Sequence, residues 1–169
     1  MNQKKVCMIG VYGTGKTSLV QQYVHSKFSE KYHSTVGVKI DRKVVEVIGE
    51  NITLVLWDIA GKEGDEEVPA SYVRGAHGVI FVADFTRRET WDELPAFDTL
   101  VEGAAGSVPI VVALNKADLT DQRVIGPEDE QKFATKWDII HTSAKTGQGV
   151  EDIFQRLARA MVKVPGAAS

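Results

Sequence analysis

The chain has 169 residues, of which 43% are hydrophobic and 25% charged, with a formal net charge of −3. That length suits one domain that buries its own core, and the mild negative charge gives no electrostatic reason to expect nucleic acid or an anionic membrane as a partner. The single cysteine, Cys7, excludes an internal disulfide and lies in an apolar run where a buried, inert thiol is expected. No apolar run is long enough to span a bilayer, position 2 is not glycine, and no cysteine lies near the C-terminus for prenylation, so the expectation is an unanchored, cytoplasmic monomer.

Along the chain, apolar runs of strand length alternate with amphipathic stretches of helix length. The first pair is "KVCMIG" followed by "GKTSLVQQYVHSKF". Where they meet, "GVYGTGKT", Gly10 to Thr17, fits G-x-x-x-x-G-K-[ST] in the setting that a phosphate-binding loop requires, between a buried strand and a helix. Backbone N–H groups of Gly13, Thr14, Gly15 and Lys16 are expected to curl around a β-phosphate, with the helix dipole aimed at the same anion. Lys16 would supply a point charge between β- and γ-phosphates, the Thr17 hydroxyl would ligate Mg²⁺, and Ser18 would contact the α-phosphate.

Next, "VGVKIDRKVVEVI" and "ITLVLWD" are separated by the turn-forming "GEN" and read as a hairpin that supplies one antiparallel edge strand. Thr35, just before this hairpin in "HSTVG", is expected as a second hydroxyl ligand to Mg²⁺. Asp58 ends the second strand before "IAG" and is expected to hold the metal through water, with Gly61 bringing its N–H to the γ-phosphate. The remaining pairs are "GVIFVAD" with "TWDELPAFDTLVEG", "PIVVALN" with "PEDEQKFATKW", and "DIIHTSA" with "GVEDIFQRLARAMV". Thr90 is placed as an N-cap, Pro95 in an early turn or at a kink, and Pro127 in a first turn. Short, nearly all-apolar strands alternating with helices predict an α/β doubly wound fold with a mostly parallel sheet. One domain is expected over residues 1–164, with 165–169 as a flexible tail.

Two further segments follow consecutive strands at the sheet edge where such folds bind ligands. In "NKAD", Asn115 to Asp118, the Asp118 carboxylate can accept two parallel hydrogen bonds from the N1–H and 2-amino group of guanine, donors that adenine lacks. In "SAK", Ser143 to Lys145, the N–H of Ala144 can donate to guanine O6, while Lys116 and Lys145 can lay their methylene stems along the base. A P-loop kinase or ATPase would need an acceptor pocket or lid, and these two segments argue for a guanine nucleotide instead.

Placed in this order, the pieces resemble the Ras superfamily of small GTPases, and most of all its Rab branch, over residues 4 to 163. The stretches "KFSEKYHSTVG", "WDIAG" and "SYVRGAHGVIFVADFTRRETWDEL" are similar to that branch as well. The resemblance implies a P-loop G domain with a six-stranded sheet and five helices that cycles between GTP and GDP with Mg²⁺. Switches I and II would span about residues 29–38 and 60–75, ordered by the γ-phosphate. Phe28 would pack on the guanine, unless it belongs to the core, and Tyr32 would close over the phosphates. Effector proteins would bind the switches and a patch formed by Ile40, Trp57 and Tyr72, with an exchange factor and an activating protein as further partners.

Three departures bear on function. The family's catalytic glutamine follows the glycine of D-x-x-G, where this chain has Lys62. A charged lysine donates hydrogen bonds but accepts none, so water orientation through this side chain is lost, leaving the Thr35 carbonyl as acceptor and the charges of Lys16 and Mg²⁺. Three readings stand open for the Lys62 side chain: electrostatic help at the γ-phosphate, solvation on a mobile loop, or pairing with a carboxylate of the run "EGDEE". Tyr12 stands where the family carries a small residue and could crowd a partner's arginine finger, shield the γ-phosphate or approach the attacking water. The missing prenylation cysteine fits a prokaryotic or otherwise unanchored relative, a chain shorn of its tail, or a domain of a larger protein. The expectation is a Rab-like switch with weak GTP hydrolysis, the alternative a GTP-binding interaction module that hydrolyses essentially nothing.

Overall fold

The computed structural model of the protein describes residues 2–30 and 35–162. Six strands form one sheet: β1 (Asn2–Gly10), β2 (Val38–Val47), β3 (Glu50–Ile59), β4 (Gly78–Asp84), β5 (Ile110–Asn115) and β6 (Asp138–His141), in the spatial order β2-β3-β1-β4-β5-β6. All neighbours run parallel except β2 and β3, so the doubly wound sheet has the expected antiparallel edge. Both faces are apolar because side chains alternate along each strand. Val6, Met8, Leu54, Ile80, Val82 and Ala113 point to one face, and Cys7, Ile9, Phe81, Ala83, Val112 and Leu114 to the other.

Helices α1 (Lys16–His25) and α6 (Val150–Met161) cover the first face, where Tyr23 and Phe154 stack with ring centroids 4.0 Å apart. Against the second lie α2 (Ala70–Val73), α3 (Arg88–Asp92) and α4 (Leu94–Ala105), which place Val73, Trp91, Leu94, Phe97 and Val101 over Phe81 and its neighbours. The short α5 (Pro127–Phe133) continues this layer through Phe133, which packs on Trp91 and Trp137. Burying side chains of this size is worth about 1.5–3 kcal/mol each, and two filled faces make the sheet a rigid platform for the loops at its carboxyl edge.

Three local expectations need correction. The hairpin turn is not "GEN" but Ile48-Gly49, with φ of 51° and 76°; Glu50 and Asn51 already pair with Val47 and Glu46. Two left-handed residues make the tight turn that matches strand twist, although a β-branched side chain there costs about 1–2 kcal/mol. Thr90 caps nothing: it is buried inside α3, its hydroxyl donating to the Arg87 carbonyl at 2.7 Å and accepting the Asp84 N–H at 2.8 Å. The helix expected from residue 90 onward is divided at Glu93, with Pro95 in the first turn of α4, where its missing N–H leaves no bond unmade. Among the described residues this gives six α-helical segments rather than five. Pro127 opens α5 as expected.

Candidate nucleotide site

The order of the strands reverses at β1, with β3 on one side and β4 on the other, and the loops at their carboxyl ends enclose a cleft of about 390 Å³. One wall is the loop from β1 into α1, another the residues after β5 and β6. Gly13, Gly15, Lys16, Thr17, Ser18, Phe28, Thr35, Gly61, Asn115, Lys116, Asp118, Ala144 and Lys145 all line it, as does Tyr12. Ser29 and Glu30, at the start of the expected switch I, and Leu119 line the same walls without having been singled out, since none has side-chain chemistry that the sequence alone assigns. Thr14 and Ser143 stand behind the surface as fully buried supports. Tyr32 lies outside the described residues, as does the boundary placed at residue 164.

The phosphate loop depends on glycine where it passes Asn115. Gly15 has φ of 103°, and a Cβ there would lie 2.3 Å from the Asn115 Nδ2 atom. That nitrogen donates to the Thr14 carbonyl at 2.9 Å, and Asn115 Oδ1 accepts the Thr142 hydroxyl at 3.0 Å. The buried amide therefore ties the first strand's loop to those after β5 and β6. Lys116, in a left-handed conformation with φ of 65°, reinforces the tie, its ammonium reaching the Gly13 carbonyl at 2.9 Å and Asp84 at 2.8 Å. Asp118 is oriented from behind by the Ser143 hydroxyl at 2.7 Å, which in turn accepts the N–H of Thr146. Lys145 pairs with Glu30 across the cleft mouth at 3.0 Å.

At the other end of the cleft, Thr17, Thr35 and Asp58 converge. The two hydroxyl oxygens are 2.7 Å apart, the Thr17 hydroxyl donates to Asp58 Oδ2 at 2.6 Å, and Asp58 Oδ1 is buried without a hydrogen-bond partner. Hard oxygen donors with a spare buried lone pair suit a small divalent cation. Burial pushes the Asp58 carboxyl up from its ordinary range, opposed by the Thr17 hydrogen bond and the Lys16 charge. Burial likewise lowers the Lys16 ammonium to about 8, against the attraction of Asp58. Lys16 lies 3.4 Å from the Gly10 and Val11 carbonyls, long contacts that leave its buried ammonium able to take an anion in the cleft.

Gly61 also sits where no side chain fits: a Cβ would be 2.5 Å from Tyr12 Cα and 2.9 Å from Lys16 Nζ. Lys62 then bonds backbone to backbone with the phosphate loop, but its side chain leaves the cleft and ends on Glu93. Of the readings open for Lys62, the side chain neither enters the cleft nor stays solvated, and the carboxylate it pairs with is not one of "EGDEE" but Glu93 at the α3–α4 junction. Arg87, which no motif flagged, donates to the Tyr12 carbonyl at 2.9 Å and pairs with Glu89. Phe28 is 39% exposed on the cleft wall, which rules out the core alternative.

A family model described as Ras family matches residues 5–163. The chain belongs to the Ras family of small GTPases. It is 36% identical over 161 residues to human Ras-related protein Rab-4B, covering 94% of this chain and 76% of that protein. Ras-related protein Rab-12 of Mus musculus is 36% identical over 163 residues, with 94% and 67% covered, and Rab-4 of Dictyostelium discoideum is 35% identical over 161, with 94% and 78% covered. The small GTPase is therefore of Rab type, a molecular switch of a family that binds guanine nucleotides with Mg²⁺, hydrolyses GTP and engages effectors, exchange factors and activating proteins. No helix among the described residues of this GTPase is long and apolar enough to cross a membrane. Ile40 and Trp57 are cross-strand neighbours in it, with the Lys5 ammonium 3.6 Å from the centre of the Trp57 ring.

Proposed function

We propose that this Rab-type switch hydrolyses GTP slowly because the side chain at its water-positioning site serves another purpose. The observation that carries the reading is that the Lys62 ammonium is engaged by Glu93 and not by the cleft. Even turned inward, an ammonium has no lone pair with which to hold an attacking water.

In this reading the base lies between the Phe28 ring and the Lys116 stem. Asp118 accepts from N1–H and the 2-amino group, and the Ala144 N–H donates to O6. An adenine nucleotide would leave the Asp118 carboxylate unpaired, at a cost of several kcal/mol in affinity. Amides of residues 13 to 16 surround the β-phosphate, the Lys16 ammonium bridges β and γ, and the Gly61 N–H donates to a γ-oxygen. Thr17, Thr35 and, through water, Asp58 would hold Mg²⁺, which when bound neutralises charge on the β- and γ-oxygens. The Thr35 carbonyl remains to accept a proton-bearing hydrogen bond from the water that attacks phosphorus as the bond to the β-bridging oxygen breaks. Tyr12 narrows the same approach from the phosphate-loop side. Ile40, Trp57 and Tyr72 offer the effector surface, the Trp57 face being covered by Lys5 until a partner competes for it.

Single-turnover hydrolysis of bound GTP with Mg²⁺ tests the reading on wild type and Lys62→Gln. The glutamine variant is expected to be faster by about tenfold or more, the scale on which one positioned transition-state contact acts. A wild type equally fast would refute the handicap assigned to Lys62, and a wild type without measurable turnover would favour the non-hydrolysing interaction module. Nucleotide released on denaturation should be GDP or GTP; adenine nucleotides would overturn the base assignment.

A further inference from the structure

Glu93 is no part of the cleft, yet it is where the Lys62 side chain ends. The two side chains are only 20% and 28% exposed, so their attraction is less screened than that of a surface pair. Two backbone bonds seat the same lysine on the phosphate loop: its N–H donates to the Gly10 carbonyl at 3.1 Å, and its carbonyl accepts the Tyr12 N–H at 2.9 Å. The backbone of Lys62 is thereby held at the rim of the phosphate end, next to Gly61, whose Cβ position is 2.9 Å from Lys16 Nζ. From that anchored point a flexible four-carbon stem has two destinations, the α3–α4 junction or the phosphate end of the cleft.

Electrostatics choose between them. Lys16 Nζ lies 2.9 Å from the Cβ position of Gly61 and the Arg87 guanidinium is on the Tyr12 carbonyl at 2.9 Å, so two positive charges already stand there and repel a third. A bound triphosphate reverses that field. Glu93 acts in the opposite direction, and Asp65 and Glu67 attract Lys62 more weakly than Glu93 does.

We propose that Glu93 is a positioning residue for GTP hydrolysis: by holding Lys62 at the start of α4 it keeps an ammonium away from the γ-phosphate, and so lowers the rate. The proposal rests on the GTPase reading above. It adds that the rate is set by a carboxylate outside the nucleotide site, so that a partner engaging the α3–α4 junction could release the lysine.

The test is Glu93→Gln, which removes the charge and keeps the shape, measured by single turnover with GTP and Mg²⁺ alongside Lys62→Ala and the double variant. Glu93→Gln should hydrolyse GTP faster than wild type, by about tenfold if the freed ammonium reaches the γ-phosphate. The double variant should be no faster than Lys62→Ala, which separates release of the lysine from mere loosening of α4. A Glu93→Gln rate equal to wild type, or a gain that persists without Lys62, overturns the proposal. Amine acylation of the GDP-loaded protein, read by mass spectrometry, gives a second measure. Lys62 should label several-fold faster in Glu93→Gln than in wild type, and equal labelling also overturns it. Labelling needs no turnover, so labelling that responds while no variant hydrolyses GTP, Lys62→Gln included, would sink the GTPase reading and the rate role together while leaving the pairing intact.

Discussion

At the scale of single residues, the site is built from atoms whose partners lie far away in sequence. Gly15 illustrates the point, because two demands meet at one Cα: a left-handed φ and contact with the Asn115 amide. Gly15→Ala should therefore cost more than the about 1–2 kcal/mol of left-handed strain, since Asn115 must also move and release the Thr14 carbonyl. The expected outcome is at least tenfold weaker binding of labelled GDP, with a lowered melting temperature for the free protein. The spacing of glycines already announced this loop. That Asn115 braces it, that Ser143 orients Asp118, and that Lys62 departs toward Glu93 depended on which loops the sheet brings side by side.

At the scale of elements, a helix start is legible in the sequence where the signal is a backbone property, and less so where it is a side-chain preference. Pro127 opens α5 because a missing N–H is harmless in a first turn. Thr90 is no cap because its hydroxyl satisfies Asp84 and Arg87 from inside a short helix, a tertiary use that its type alone does not reveal. The α5 start offers a direct test. Asp129 accepts both guanidinium N–H groups of Arg88, at 3.0 and 2.9 Å, and the N–H of Gly126 at 2.8 Å, and these hold its carboxyl down at about 2. Because the folded pKa lies below the ordinary 3.8, the stabilisation is present above that value and is lost as pH falls toward about 2. Wild type should lose about 1 kcal/mol more than Asp129→Asn between pH 4 and pH 2, allowing for solvent screening, in urea midpoints measured across that range.

At the scale of the whole molecule, the cleft joins loops from both halves of the sheet, so a ligand there adds to the few hydrogen bonds that already link them. Lys116 and Asn115 contact the phosphate loop, and Gln22 of α1 donates to the Ala144 carbonyl at 2.7 Å. A nucleotide that binds only this assembled arrangement stabilises by mass action, about 2.7 kcal/mol at a hundredfold excess over Kd. Thermal unfolding should therefore shift upward with GDP and Mg²⁺ and fall back when the metal is chelated. Adenosine diphosphate should give no comparable shift, since Asp118 would find no N1–H to accept.

The sequence by itself determined the architecture and most of the residues that line the cleft. Alternating apolar runs specify a sheet buried on both faces, and the phosphate loop and the "NKAD" and "SAK" segments are local words whose chemistry is carried by adjacent residues. Their spacing along the chain is enough because backbone geometry converts it directly into position. What only the tertiary structure decided was the use of long, charged and multivalent side chains. Lys62, Arg87 and Lys116 can each reach several partners, and the choice among them follows from distances between elements remote in sequence. For Lys62 that choice is Glu93, 31 positions onward, brought within reach because switch II and the start of α4 pack side by side beyond the end of β4.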